Sequence, residues 1–337
     1  MVTALKTSIN ILLVFLFTAC TSVPDERMTP YVDFPETREL TARTLSLDSA
    51  LFRYPYRVRV QDDKAVVLDL HGTEYFFHAF HYPGFHYLSS FGKRGDAPEE
   101  MLSAENLRWN GNFLWTLDSN KSELTRLGFA SSGDSLLRLE TVSLDEELLR
   151  ALDFVQYDDS TFIIPDYSGD SRFCLVSRQG KLLRKIGTIP TANEDALKSA
   201  RPALAQAWRS FIDYNPRNGV LAAATQLGEV LEIYNLKDST HIVRIGPNGE
   251  PEFQISQGYG IPTGIMGFSD IQVTDSAIYV VFQGRAFKDI MQKAQQGINL
   301  PDGGQNIYVF SLEGKPLRKY VLDHYIHGIS VDEQKGI

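Results

Sequence analysis

An internal repeat constrains the fold of this chain more than any other feature. Val155–Ile163 reads Val-Gln-Tyr-Asp-Asp-Ser-Thr-Phe-Ile, and Ile271–Tyr279 reads Ile-Gln-Val-Thr-Asp-Ser-Ala-Ile-Tyr. Each copy is an apolar strand, a polar turn and the start of a second strand. Gly180–Lys185 and Gly314–Lys319 then follow in the same order, each a turn glycine leading into an amphipathic strand. A third echo joins the two ends, Val58–Val66 with Ile329–Ile337. With Leu107-Arg108-Trp109 and Phe211–Tyr214 as further first strands, units start near 58, 107, 154, 211, 270 and 328. Radial repeats of four-stranded blades account for this spacing, whereas a sandwich has no need to reuse one unit six times. The expectation is an all-β fold, a six-bladed β-propeller over residues 45–337. Ile337 falls where a second strand would begin, so the last blade is expected to be incomplete. Thr44–Leu47 would supply its closing strand, leaving exposed strand edges. A truncated product is preferred over a natural open ring.

Composition agrees and excludes one function class. With 20 Phe and 15 Tyr the chain favours strands, and 43% hydrophobic residues can fill a sizeable core. The net charge of −9 argues against nucleic acid as a partner, since phosphate binding needs a basic surface.

The N-terminus reads as an export signal. Lys6 precedes the apolar run Ile9–Phe17, too short to span a bilayer, and Thr18-Ala19-Cys20 follows. A Cys directly after small residues resembles a bacterial lipobox, with Phe17 departing from the usual aliphatic residue. The resemblance implies a signal peptide over 1–19 and lipid attachment at Cys20. The protein would then sit in the bacterial cell envelope as an outer-membrane lipoprotein, periplasmic or surface-exposed. Simple secretion and an uncleaved anchor rank below this. Residues 20–44, with Pro24, Pro30 and Pro35 and mixed charges, read as a tether. The only other cysteine, Cys174, lies in the apolar run Phe173–Val176 and reads as a buried hydrophobe.

Phe91–Met101 (Phe-Gly-Lys-Arg-Gly-Asp-Ala-Pro-Glu-Glu-Met) resembles the Gly-x-x-Gly-x-Gly-Pro-x-Glu-Phe segment of propellers related to NHL repeats. Ala97 and Met101 depart from it, and Gly249–Phe253 is a decayed second copy. Together with the lipobox, the chain is similar to the TolB-like six-bladed propeller lipoproteins of Bacteroidetes. That resemblance implies fold and location and is nearly silent on activity.

Strand parity places three insertions, 92–101, 190–207 and 284–304, on one face around one channel mouth. They are read as binding loops or as covers over apolar blade ends. Candidate binding residues are Arg94, Trp109, Trp208, Arg209 and His327, since aromatic and Arg side chains suit protein, peptide or glycan ligands. Each Trp individually also suits core packing. His78, His81 and His86 do not fit a converging metal site, because an odd spacing on a strand sends side chains to opposite faces. The recurring acidic pairs Asp62-Asp63, Asp158-Asp159 and Asp332-Glu333 read as turn chemistry. No nucleophile elbow, zinc-protease motif or phosphate loop is present, and no cofactor or metal is implied. The leading reading is a non-enzymatic binding or scaffold protein. The alternatives are a hydrolase or lyase acting at the channel mouth, and a truncated copy without function.

Overall fold

A computed structural model describes residues 28–45, 47, 52–333, 335 and 336. The signal peptide and Cys20 lie outside the described residues. Two short strands, β1 (Met28–Pro30) and β2 (Thr37–Leu40), come first. Five four-stranded antiparallel blades follow. Blade one is β3 (Pro55–Gln61), β4 (Lys64–Asp69), β5 (Tyr75–His81) and β6 (His86–Lys93). Blade two is β7 (Asn106–Asn110), β8 (Phe113–Asp118), β9 (Glu123–Phe129) and β10 (Leu136–Ser143). Blade three is β11 (Val155–Asp158), β12 (Thr161–Pro165), β13 (Phe173–Ser177) and β14 (Leu182–Ile186). Helices α1 (Glu194–Ser199) and α2 (Arg201–Ala207) lead to blade four: β15 (Ser210–Asn215), β16 (Val220–Thr225), β17 (Val230–Asn235) and β18 (Thr240–Ile245). A hairpin, β19 (Phe253–Ser256) and β20 (Tyr259–Pro262), precedes blade five. That blade is β21 (Phe268–Val273), β22 (Ala277–Phe282), β23 (Gly304–Ser311) and β24 (Pro316–Ile326), with α3 (Phe287–Gln295) between its second and third strands.

The strand sequences explain the layering. Second strands read as near-continuous apolar runs rather than alternating: β16 reads Val-Leu-Ala-Ala-Ala-Thr and is buried at every position. A strand covered on both faces must read this way. In a propeller the second strand lies between the flanking blades, and each Val or Leu buried there contributes about 1.5–3 kcal/mol. Outer strands such as β14, Leu-Leu-Arg-Lys-Ile, are largely exposed or half-exposed. Five of the six repeat starts fall in or beside inner strands, as the spacing predicts.

Two details depart from the expectation. The described residues contain five complete blades, not six. Residues 327–333 form no strand, but thread between the inner strands of blades five and one. Ile329 N donates to Asp270 (2.9 Å) and its carbonyl accepts from Arg59 (2.7 Å). Val331 N donates to Gln272 (2.6 Å). Residues 44, 45 and 47 form no closing strand either. Instead, within the segment read as a tether, β1 and β2 pair in parallel with the outer strands β18 and β24. The reason is the pair of aromatics between them. Phe34 packs on Tyr308 and Phe310 at 4.6 and 5.2 Å, and the Tyr31 hydroxyl donates to Glu229 (2.8 Å). Burying two rings holds the leading segment against blades four and five, away from blade one.

Candidate functional site

The first strands converge on the propeller axis and fill it with charge. Arg57 and Arg59 of β3 pair with Asp270 of β21 at 3.2 and 2.8 Å. Arg108 of β7 pairs with Asp153, just before β11, and with Asp213 of β15, at 3.1 and 3.2 Å. Three guanidiniums and three carboxylates thus cancel in the middle of the ring. Burial alone would raise the Asp270 carboxyl, but the two guanidiniums outweigh it and hold it down to about 2. Asp213 is pushed up, because burial there exceeds what Arg108 and Arg59 return. Charges this deep persist only when paired and hydrogen-bonded.

Above this plug, where the inner strands begin, lies one mouth. Antiparallel parity brings to this face the loops joining successive blades and those joining second to third strands. The 92–101, 190–207 and 284–304 insertions are all such loops. The β19–β20 hairpin joins them and packs on α2, where Gly260 N donates to Gln206 (3.1 Å). Helix α3 carries no buried residue, and Met291 in its apolar stripe is 59% exposed.

Two groups of side chains form the mouth. In the first, Tyr54, leading into β3, contacts His327 through its hydroxyl and Nε2 (2.6 Å) and also donates to Asp302 from the 284–304 loop. His327 Nε2 lies 3.0 Å from Asp302. Burial and the Asp302 acceptor push the Tyr54 hydroxyl well above its ordinary range. With Nε2 engaged, Nδ1 of His327 is buried and has no partner within the protein. In the second group, the Arg209 guanidinium lies 5.9 Å from the Tyr167 ring, and burial pushes the Tyr167 hydroxyl above its ordinary range despite that positive charge. Beneath them the Arg57 guanidinium is held between the rings of Tyr56 and Phe211, at 5.0 and 4.7 Å. Arg57 Nη1, Tyr167 Oη, Arg209 Nε and Ser269 Oγ are also buried without a protein partner. Buried polar atoms are normally paired, so this concentration marks a place shaped for water or a ligand.

The five residues singled out from sequence separate. Arg209 and His327 reach the mouth. Arg94 is exposed on the blade-one rim, its guanidinium 4.5 Å from the Phe76 ring. Trp208 is fully buried under α2 with Val230 and Val243, so its place before an inner strand does not bring it to the surface. Trp109 lies near the far end of β7, on the opposite face. Tyr54, Tyr56, Tyr167 and Asp302 were not singled out, since they belong to no motif and meet only through the ring closure. His78 is paired with Ser90 (2.8 Å) and loses basicity through burial, whereas His86 is exposed on the neighbouring strand. Among the described residues no three His, Cys, Asp or Glu side chains form a metal-binding group.

A ring of four-stranded blades around a neutral charged plug, with a polar mouth at one end, defines a β-propeller. The chain matches the TolB-like 6-blade propeller-like family over residues 33–334 and belongs to it. Solved structures align with this chain at low identity. A Bacteroides caccae protein of unknown function aligns at TM-score 0.50 and 10% identity over 82% of this chain and 85% of its own. A candidate exported protein from Bacteroides fragilis gives 0.48 and 10% over 85% and 80%. Streptogramin B lyase gives 0.47 and 11% over 82% and 71%. No match is found among curated proteins.

Proposed function

We propose that the chain is an exported, lipid-anchored binding protein that holds a polar ligand at the mouth above the charged plug. The observation that carries this is a set of five buried atoms without protein partners on residues at the end of the ring where the inner strands begin: Arg57 Nη1, Tyr167 Oη, Arg209 Nε, Ser269 Oγ and His327 Nδ1. Most are donors, which suits carboxylates, carbonyls and hydroxyls, as borne by peptides and glycans. The six-bladed reading of the ring belongs to the same proposal. It is supported by residues 329–331, which occupy the place of an inner strand between blades five and one. Lipid attachment at Cys20 rests on the leader sequence, and Cys20→Ser should move the protein out of the membrane fraction.

The test is a thermal-shift screen of the purified protein against carboxylate-bearing dipeptides and neutral and acidic disaccharides, repeated with Arg209→Ala and Tyr167→Phe. A ligand that stabilises the native protein and neither variant supports the mouth. Equal shifts in all three proteins, or no shift with any compound, sink it. One observation favours a second reading, a lyase or hydrolase: the Tyr54–His327–Asp302 contact places a proton carrier beside a carboxylate at the same opening. Under that reading His327→Gln abolishes turnover of a bound compound and leaves its binding intact.

A further inference from the structure

We propose that the dish between blades one and two, on the face opposite the mouth, binds a neutral hexopyranose unit of a glycan. A cavity of about 480 Å³ opens there, lined by Trp109, Phe129, Phe113 and Leu139 and rimmed by Gln61, Asp62 and Asn112. That size falls within the range of small-molecule sites, roughly 300–1,000 Å³.

The wall is aromatic and fixed. The Trp109 and Phe129 rings are nearly parallel, with an interplanar angle of 13° and centroids 6.3 Å apart. Trp109 cannot swing freely, because its Nε1 donates to the Arg59 carbonyl (3.2 Å). The Lys64 ammonium lies 5.5 Å from the Phe129 ring centroid on the blade-one side. Phe113 and Leu139 are left 39% and 48% exposed. Gly128 keeps the dish open. A Cβ at that position would stand 2.8 Å from Leu139 Cδ1 and 3.6 Å from Phe113 Cδ1. A large side chain there would fill the space between them.

The composition of the site points to a sugar. A pyranose ring presents a face of C–H bonds and a periphery of hydroxyls. Flat aromatic surface takes the first, and amides, which donate and accept, together with carboxylates, which accept, take the second. The dish supplies both, with the amides of Gln61 and Asn112 and the carboxylate of Asp62 at its edge. Asp62 and the adjacent Asp63 outnumber Lys64 there, which disfavours uronic or phosphorylated sugars and selects a neutral ring. Glu105, Arg209 and Tyr167 take no part, so this site is independent of the mouth.

The three tryptophans make the test direct. Trp115 and Trp208 are 1% and 0% exposed, so external quenchers reach Trp109 selectively. The purified protein is titrated with cellobiose, maltose and N,N′-diacetylchitobiose, following acrylamide quenching of tryptophan emission together with calorimetry. At least one of these should protect Trp109 saturably. Trp109→Ala and Asn112→Ala should each weaken the calorimetric affinity about tenfold or more. Asn112 is an exposed turn residue, so its variant keeps the test valid if Trp109→Ala fails to fold. Arg209→Ala should bind as the native protein does. The proposal is overturned if none of the three disaccharides binds or if binding survives Asn112→Ala. Loss of binding in Arg209→Ala, which would put the sugar at the mouth, overturns it too.

Discussion

Replacing Asp270 tests whether the charged plug holds the ring together. Its carboxylate is fully buried and takes four contacts: Arg59 at 2.9 and 2.8 Å, Arg57 Nε at 3.2 Å and Ile329 N at 2.9 Å. Asp270→Ala removes all four and leaves two guanidiniums, with side chains 1% and 9% exposed, facing each other without an anion. Removing one partner of a buried pair costs about 3–5 kcal/mol. Here the lower end applies, because Arg57 keeps the Ser269 carbonyl (3.2 Å) and Arg59 keeps those of Val58 (3.0 Å) and Ile329 (2.7 Å). For a chain of 337 residues the unfolding entropy near the melting temperature is about 0.7 kcal/mol/K, so about 3 kcal/mol lowers Tm by about 4 °C. Lys198→Ala is the control. Its pair with Glu194 is 71% and 75% exposed, and such pairs contribute under about 1 kcal/mol. Calorimetric melts of both variants at neutral pH decide the matter. If Asp270→Ala melts no lower than Lys198→Ala, the plug does not hold blades five and one together.

Three further outcomes follow from the same structure. Because the folded Asp270 carboxyl sits at about 2, below the ordinary aspartate value of 3.8, its contribution is complete above pH ~4 and is lost as pH falls from ~4 to ~2. That loss amounts to about 2 kcal/mol, so Asp270→Asn should flatten the acid limb of the urea midpoint, and an unchanged limb contradicts the pairing. Gly169 has φ +85°, and a Cβ there would meet the Arg201 carbonyl at 2.3 Å, at the start of α2, whereas Gly111 (φ +53°) has nothing near. Both Ala variants carry the left-handed strain of about 1–2 kcal/mol, but Gly169→Ala should be clearly worse in denaturant melts. Burial pushes the Cys174 thiol up to about 12, so in a Cys20→Ser chain iodoacetamide at pH 8 should label it only on unfolding.

The repeat was legible because its marks are local. Asp158 shows why the acidic pairs recur: its carboxylate accepts from Ser160 N and Oγ, both at 2.8 Å, closing the turn between first and second strands. Turn chemistry within three residues needs no tertiary partner to be read. The plug was not legible because its partners lie far apart in sequence: 211 residues separate Arg59 from Asp270, and 105 separate Arg108 from Asp213. A signal was nevertheless present. Every complete unit places an Arg or Asp at or just before its inner strand, where a merely half-buried strand would favour apolar or neutral residues. Trp208 misled for the opposite reason. Position before an inner strand suggested the mouth, but the helical turn of α2 rotates the indole into the layer beneath. The aromatics Tyr31 and Phe34 were the readable warning that the leading segment packs rather than trails.

The plug also narrows where any activity can reside. Six opposed charges are held side chain to side chain between the inner strands, so a ligand entering there would have to separate buried pairs. The two faces on either side of the plug differ in kind. The mouth offers mainly donors above a neutral charged plug, a surface that pays its desolvation whether or not a ligand is present. The opposite face offers aromatic surface with amide edges, where water is held weakly and is readily displaced. A ligand satisfying one face therefore has little affinity for the other. A glycan with a carboxylate-bearing branch could engage both only by spanning the propeller from outside. Separate variants, Arg209→Ala at the mouth and Asn112→Ala at the dish, should accordingly show additive losses with any polymer that engages both faces, as independent sites require.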